Sequence, residues 1–338
     1  MVVCYFFINF ASMKVTIHTD TTTLPALPSG SYFHSRELME LCLRTPHHKP
    51  YMAVVTDDDG EAIANLLAVE RYKYVWMLPQ LHRHVRILGE GAYRTKKDDE
   101  AWSENMVFSM MLDALTRKLR NHVLYMEVSH LSQKMFGYAP LRAAGYFPVR
   151  WTSIHNSHHS HSPEERINER QQQRIEAAMA RGIETHEVES EEDYKHLFRL
   201  MHRHYWFKPR KYIPADEFFK EMQKAGRCKM LITTYKGKTL GCAIYVYSDG
   251  DAYLWYSASR RKSYATLHPN AVTFWNTIRQ TYNDGCQHIR FMDVGLPFRH
   301  NPYRDFILSF GGKEVSTFRW FRTRFGWANK LASWLWRE

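Results

Sequence analysis

A chain of two similar α/β modules, each a mixed sheet flanked by helices, is the fold class this sequence predicts. Three observations lead there. The length of 338 residues fits two domains of about 150 residues each. Aromatic residues make up 14% of the chain, enough for each domain to bury a core of its own. The order of patterns in the first half (hairpin, strand, long helix, strand, short helix stopped by glycine) recurs weakly in the second half, as a duplication at domain scale.

Met1 to Ala11 is apolar but has no basic leader and no cleavage site, and it is too short to span a bilayer. The natural start is expected at Met13, with the residues before it untranslated or disordered. Val15 to His18 alternates as a strand, and Ser31 to Arg44 reads as a helix ended by Thr45-Pro46. Tyr51 to Thr56 and Glu61 to Val69 form a hairpin around Asp58-Asp59-Gly60. Val85 to Leu88 is a further strand. Ala101 to Asn121 is an amphipathic helix with Met106, Met110, Leu112, Leu115 and Leu119 inward. Val123 to Val128, the helix Tyr138 to Ala144 and the strand Phe147 to Ile154 complete the first module.

The tract His155 to Ser162 reads as a solvated linker rather than a metal site. It is rich in histidine but has no cysteine or carboxylate fixed nearby. Ser162-Pro163-Glu164-Glu165 then has the form of a capping box, opening a polar helix that runs to Arg181 and stops at Gly182. In the second half, Lys229 to Thr234 and Thr239 to Tyr247 pair around Lys236-Gly237-Lys238, and Asp251 to Ser257 is an aromatic strand. Pro269 opens a helix that Asn283-Asp284-Gly285 stops. Ile289 to Val294 is a strand, Tyr303 to Phe310 a short helix, and a last strand begins at Lys313.

Five cysteines without any C-x-x-C pair argue for a reducing compartment and against a disulfide framework or zinc knuckle. No metal is expected. His82 and His84 lack a partner motif and read as surface or core polar residues. A net charge of +11 favours an anionic partner, whether a phosphate-bearing cofactor, RNA or a membrane surface. A basic soluble protein would carry the same charge.

His268-Pro269-Asn270, Asp293-Val294-Gly295 and Phe310-Gly311-Gly312, in this order and spacing, resemble the second half of the FemABX-like branch of the GNAT acyltransferase superfamily. That branch includes the broad bacterial group with an acetyltransferase domain like those of biotin-pathway and cellulose-biosynthesis proteins. The resemblance implies tandem GNAT-like domains, each with a mixed, mostly antiparallel sheet flanked by helices. Residues 13–155 would be the first, 156–181 a linker helix, 182–325 the second and 326–338 an amphipathic tail. Arg166, Arg170, Arg174 and Arg181 match the basic helix that begins the second domain in relatives.

In GNAT enzymes the acyl donor lies where two strands splay apart, its pyrophosphate on the N-terminus of the following helix. The resemblance therefore directs a phosphate-bearing donor to the basic loop Ser257, Ser259, Arg260 and Arg261 and to the helix start at His268 and Asn270. A solvated basic loop is the alternative. The Gln/Arg-x-x-Gly-x-Gly/Ala signature is absent, and no glycine lies between Asp251 and Gly285. Asp293 closes an apolar strand, where a carboxylate could take a proton from an attacking amine or cap the next turn. Tyr253, Trp255 and Tyr256 line an acceptor groove or fill the core. Where aminoacyl-transferring relatives carry Lys, Phe306 is followed by Ile307. Where acetyltransferases place a general-acid Tyr, this chain has Arg142 in the first half and Leu308 or Ser309 in the second, which leaves Tyr303 as the substitute.

The function implied is attack of an amine, or a hydroxyl, on an activated acyl or aminoacyl group, with acyl-coenzyme A or aminoacyl-tRNA as donor. The acceptor would be a small molecule, a cell-envelope precursor or a lipid. A non-catalytic binding protein of the same fold is the alternative. An RNA-binding module ranks last for want of a motif, and DNA is not expected as a partner. No segment reads as a membrane span, so the protein is expected in the cytoplasm or at the inner membrane surface. Trp327, Leu331, Trp334 and Leu335 share one helical face, with Arg319, Arg322, Arg324, Lys330 and Arg337 as cations. That pattern suits a helix in a membrane interface or one that docks Trp327 and Trp334 on its own domain.

Overall fold

The computed structural model describes residues 3–8, 11–72, 83–97, 100, 102–129, 135–159, 161–206, 213–260, 262–298 and 300–336. Expectations placed on Met1, Val2, His82, Ser160, Arg261 and Arg337 lie outside the described residues. The chain separates into two compact units, 1–151 with 317–338, and 152–316.

The elements of the first half are β1 (Val3–Ile8), β2 (Ala11–His18), α1 (Arg36–Arg44), β3 (His48–Thr56), β4 (Ala62–Tyr72), β5 (Arg83–Leu88) and β6 (Ala92–Tyr93). They continue with α2 (Glu104–Leu119), β7 (Tyr125–Ser129), α3 (Tyr138–Ala143) and β8 (Phe147–Ser157). Then come α4 (Pro163–Arg166), α5 (Glu169–Ala180), β9 (Ile183–Glu187), α6 (Glu191–Tyr205), α7 (Asp216–Lys224), β10 (Cys228–Tyr235), β11 (Lys238–Ser248) and β12 (Asp251–Ser259). Last are α8 (Pro269–Asn283), β13 (His288–Gly295), α9 (Pro302–Leu308), β14 (Lys313–Thr323) and α10 (Gly326–Leu335).

In the first unit the strand order is β1-β2-β3-β4-β5-β7-β14, with β6 on β4. Pairing is antiparallel except between β5 and β7, which run parallel over five residue pairs, His84↔Tyr125 to Leu88↔Ser129. Alternate residues of β3 (Tyr51, Ala53 and Val55) enter the core built on α2, while Met52, on the other face, meets Asn65. Burial on both faces explains why β3 and β4 read as continuous apolar runs. Residues 3–8 correct the expectation of disorder: their backbone pairs with β2, Val3 opposite Thr16. Aromatic and β-branched residues dominate VCYFFI, a composition that favours an added strand.

The second unit orders β8 (its residues 154–157), β13, β12, β11, β10 and β9. The core on the α8 side stacks Phe274 on Phe291 at 5.9 Å between centroids and sets it edge-on to Phe306 at 5.1 Å. Gly241 on β11 allows α8 to approach, since a Cβ there would meet the Thr273 hydroxyl. Gly311 and Gly312 have the same kind of reason: a Cβ on Gly312 would lie 2.5 Å from Asn156 Oδ1 and 2.6 Å from Ile154. Gly312 thus keeps the end of α9 against β8, while Gly311 makes room for the backbone of Arg166 at the end of α4.

Two local expectations change. The Ser162 capping box does not form, because Ser162 makes no side-chain cap and α4 ends after one turn. The polar helix starts instead at Asn168, whose side chain accepts the Arg170 N–H. The histidine tract is a solvated linker only in its later part, where His159 and His161 are exposed. His155 and Asn156 are strand residues of β8, opposite Arg290 and Ile289. His158 stacks on Tyr282 at 5.6 Å, both ring nitrogens are buried, and burial lowers its pKa to about 4. His84 stacks on Tyr125 at 5.2 Å. Trp327 and Trp334 are 71% and 61% exposed, which removes the reading of α10 as a helix that docks its tryptophans on its own domain.

Candidate functional site

The parallel strands β12 and β13 pair over only three residues, Ala252↔Ile289 to Leu254↔Phe291, and then part. Two irregularities drive them apart. Against β11, the register of β12 jumps from Tyr256 to Leu254 and leaves Trp255 as an extra residue. Against β8, the register of β13 slips between Phe291 and Gly295. Bulges of this kind bend a strand and re-aim its side chains. Asp293 sits inside the second bulge with a left-handed φ of 62°, a conformation that Asp and Asn tolerate better than most residues.

Beyond the splay a cavity of about 900 Å³ opens. Ser257, Ser259, Arg260, Asn270, Asp293 and Tyr303 of the sequence-predicted set all line it. The strand ends supply Ser257, Ser259 and Asp293, α8 supplies Asn270, and α9 supplies Tyr303. Asn301 caps α9 by accepting the Tyr303 and Arg304 N–H groups, which fixes where Tyr303 projects. Its hydroxyl bonds the Ser257 side chain, and burial pushes its pKa up to about 12, with the Asp293 carboxylate adding to the rise. Tyr303 therefore keeps its proton at neutral pH and can donate it.

Tyr256 and His268 stay outside this lining. The Tyr256 ring is buried, edge-on to Phe219 at 5.4 Å and to Tyr205 at 6.0 Å. His268 is the residue before α8, with φ 42°, and its pKa is lowered by burial and then by the Arg174 and Arg181 guanidinium groups. Arg261 lies outside the described residues.

Sequence reasoning missed Tyr205, at the end of α6. Its hydroxyl donates to the Ser257 carbonyl at 2.7 Å and accepts the Ser257 N–H at 3.4 Å. No local motif marks a residue 52 positions upstream of its partner. Asn301-Pro302, by contrast, is a helix-start signal that could have been read.

Among the lining residues described, Arg203, Arg260 and Lys262 are cationic and Asp293 is the one carboxylate. Arg260 Nε is buried without a hydrogen-bond partner among the described residues. The first turn of α8 offers less than a helix end usually does. Pro269 has no N–H, and Ala271 and Val272 both donate to the His268 carbonyl. Cys242 also reaches the cavity, but burial pushes its thiol up to about 12, so it is no thiolate nucleophile at neutral pH. No cluster suited to a metal ion occurs among the described residues.

Residues 166–303 match the model of a family described as an acetyltransferase (GNAT) domain. No curated protein sequence matches the chain. Among solved structures, FemX is similar with a TM-score of 0.56 at 11% identity, covering 92% of this chain and 95% of that one. The C-terminal domain of a putative lysylphosphatidylglycerol synthetase from Agrobacterium fabrum gives 0.55 at 9% identity, covering 89% and 90%. A tandem GNAT protein from the clavulanic acid biosynthesis pathway gives 0.50 at 12%, covering 86% and 87%. At such identities the likeness is one of fold. The matched segment lies wholly within the second unit and spans the splay, the bulges and α8. Residues 166–303 thus match the model of a GNAT acetyltransferase domain, and the chain has the fold of tandem GNAT proteins.

Proposed function

We propose that the second unit transfers an acyl or aminoacyl group from an activated thioester or ester to an amine, or less favourably a hydroxyl. The observation that carries this is the splay of β12 from β13, which opens on a cavity holding a carboxylate, a protonated tyrosine and three cations. Acyl-coenzyme A and aminoacyl-tRNA are the donor classes, since both bring phosphates that Arg203, Arg260 and Lys262 would meet. Asp293 would accept the proton of the attacking amine. Tyr303, with Ser257 beside it, would return a proton to the leaving group. The Ser257 N–H, once a donor displaces the Tyr205 hydroxyl from it, would polarise the acyl carbonyl.

The acceptor in this reading is a small amine or a lipid-linked cell-envelope precursor met at the inner membrane surface. A binding protein without catalysis is the second reading. It draws on one observation, that the Tyr205 hydroxyl already occupies the Ser257 backbone pair at the splay.

Thermal-shift titration with acyl-coenzyme A species and aminoacyl-tRNA tests both. Saturable stabilisation by one class, followed by release of free coenzyme A or tRNA when an amine is added, supports transfer. Stabilisation without release supports binding alone, and no stabilisation by either class overturns the donor assignment.

A further inference from the structure

Helix α10 is amphipathic in the opposite sense to a helix that packs on its own protein. Asn329 faces inward: its amide donates to the Gly145 carbonyl at 2.9 Å and its oxygen accepts the Thr323 N–H at 3.0 Å. Ala328, Ala332 and Ser333 share that side and are partly covered. At about 100° per residue, Trp327, Leu331, Trp334 and Leu335 fall opposite Asn329. They are 71%, 56%, 61% and 68% exposed, and no residue of the helix is buried. An ordinary surface helix buries its large apolar residues and gives its amides to water. Here the small and polar side is held and the tryptophans are presented.

The charge around this face has one sign. No acidic residue occurs between Val315 and Arg337, while Arg324 and Lys330 are exposed. Neither forms an ion pair among the described residues. A second copy of the chain on the same face would set these cations against their own kind, with no carboxylate from residues 315–337 between them. An acidic lipid surface supplies both missing partners, an apolar layer for Trp and Leu and anionic headgroups for Arg and Lys.

We propose that α10 is a membrane-interface helix that seats this protein on an anionic bilayer. Trp327, Leu331, Trp334 and Leu335 enter the headgroup boundary, and Arg324 and Lys330 bind the headgroups. This rests on α10 and Arg324 just before it, and stands whether or not the cavity of the second unit is catalytic.

Flotation of the full chain with vesicles tests it, comparing phosphatidylcholine alone with phosphatidylcholine containing phosphatidylglycerol. Flotation is expected only with phosphatidylglycerol, with a blue-shifted tryptophan emission and loss of binding at high salt. Leu331→Ser with Trp334→Ser should lower the bound fraction by roughly tenfold or more and leave the melting temperature unchanged. Arg324→Glu with Lys330→Glu should also abolish binding. The proposal is overturned if the intact chain does not float, or if the serine variant floats equally well. A lower melting temperature for that variant, or a dimer in sedimentation that it dissolves, would equally reassign the face to the protein itself.

Discussion

The Tyr205 hydroxyl bonds both the carbonyl and the amide of Ser257, at 2.7 and 3.4 Å, so a side chain takes the position of a missing strand. β12 has lost its partner β13 by this point, and its polar backbone groups would otherwise face the cavity unpaired. One phenol from α6 satisfies both and holds the splay open.

Tyr205→Phe should therefore lower stability by about 1–3 kcal/mol, the usual effect of leaving buried backbone groups unsatisfied. The loss should shrink when a donor is bound, because a donor amide can replace the phenol. Chemical denaturation with and without the stabilising donor checks both parts.

Asp293→Asn keeps a residue that tolerates the left-handed backbone and removes the proposed base. Turnover should fall by roughly 10²-fold or more with little change in melting temperature. Asp293→Ala, which does not favour φ 62°, should add about 1–2 kcal/mol of destabilisation. If Asn is as active as Asp, the carboxylate only shapes the turn.

His158 should make the protein acid-sensitive. Burial depresses its pKa to about 4, with His288, Arg166 and His159 adding positive charge nearby. Its folded pKa lies below the 6.5 of a free imidazole, so its contribution is complete above that pH and is lost as pH falls from 6.5 towards 4. His158→Phe keeps a ring against Tyr282 and should flatten the slope of melting temperature with pH across that window.

Gly312→Ala should destabilise the protein by roughly 1–3 kcal/mol, as overpacking does. The methyl group would press on Asn156 and Ile154. Urea unfolding would show a lower midpoint, and activity per folded molecule should be unchanged.

Much of the fold was legible because its signals are local. Asp58-Asp59-Gly60 and Lys236-Gly237 each sit at a hairpin turn, and Gly145, Gly285 and Gly311 follow helices with positive φ. The candidate site was legible where it lies on consecutive residues, as at Ser257 to Arg260. It was not legible where tertiary packing decides. Tyr256 and Tyr303 are both tyrosines near the splay, yet the bulge at Trp255 turns Tyr256 into the core, and the Asn301 cap aims Tyr303 at Ser257. The first part of the histidine tract misled for a similar reason: its polar composition suggested solvent, whereas β13 needed an edge partner and recruited His155 to Ser157.

The pairing of β7 with residues 319–323 of β14 also bears on how the protein is made. A ribosome adding roughly 5–20 residues per second has long finished β7 when it reaches Arg319. Throughout that delay β7 is an open edge of the nascent chain, the kind of surface that pairs with the wrong strand. The first unit is thus the last to close, and a messenger truncated before codon 317 would yield a polypeptide dependent on chaperones rather than a shorter working protein.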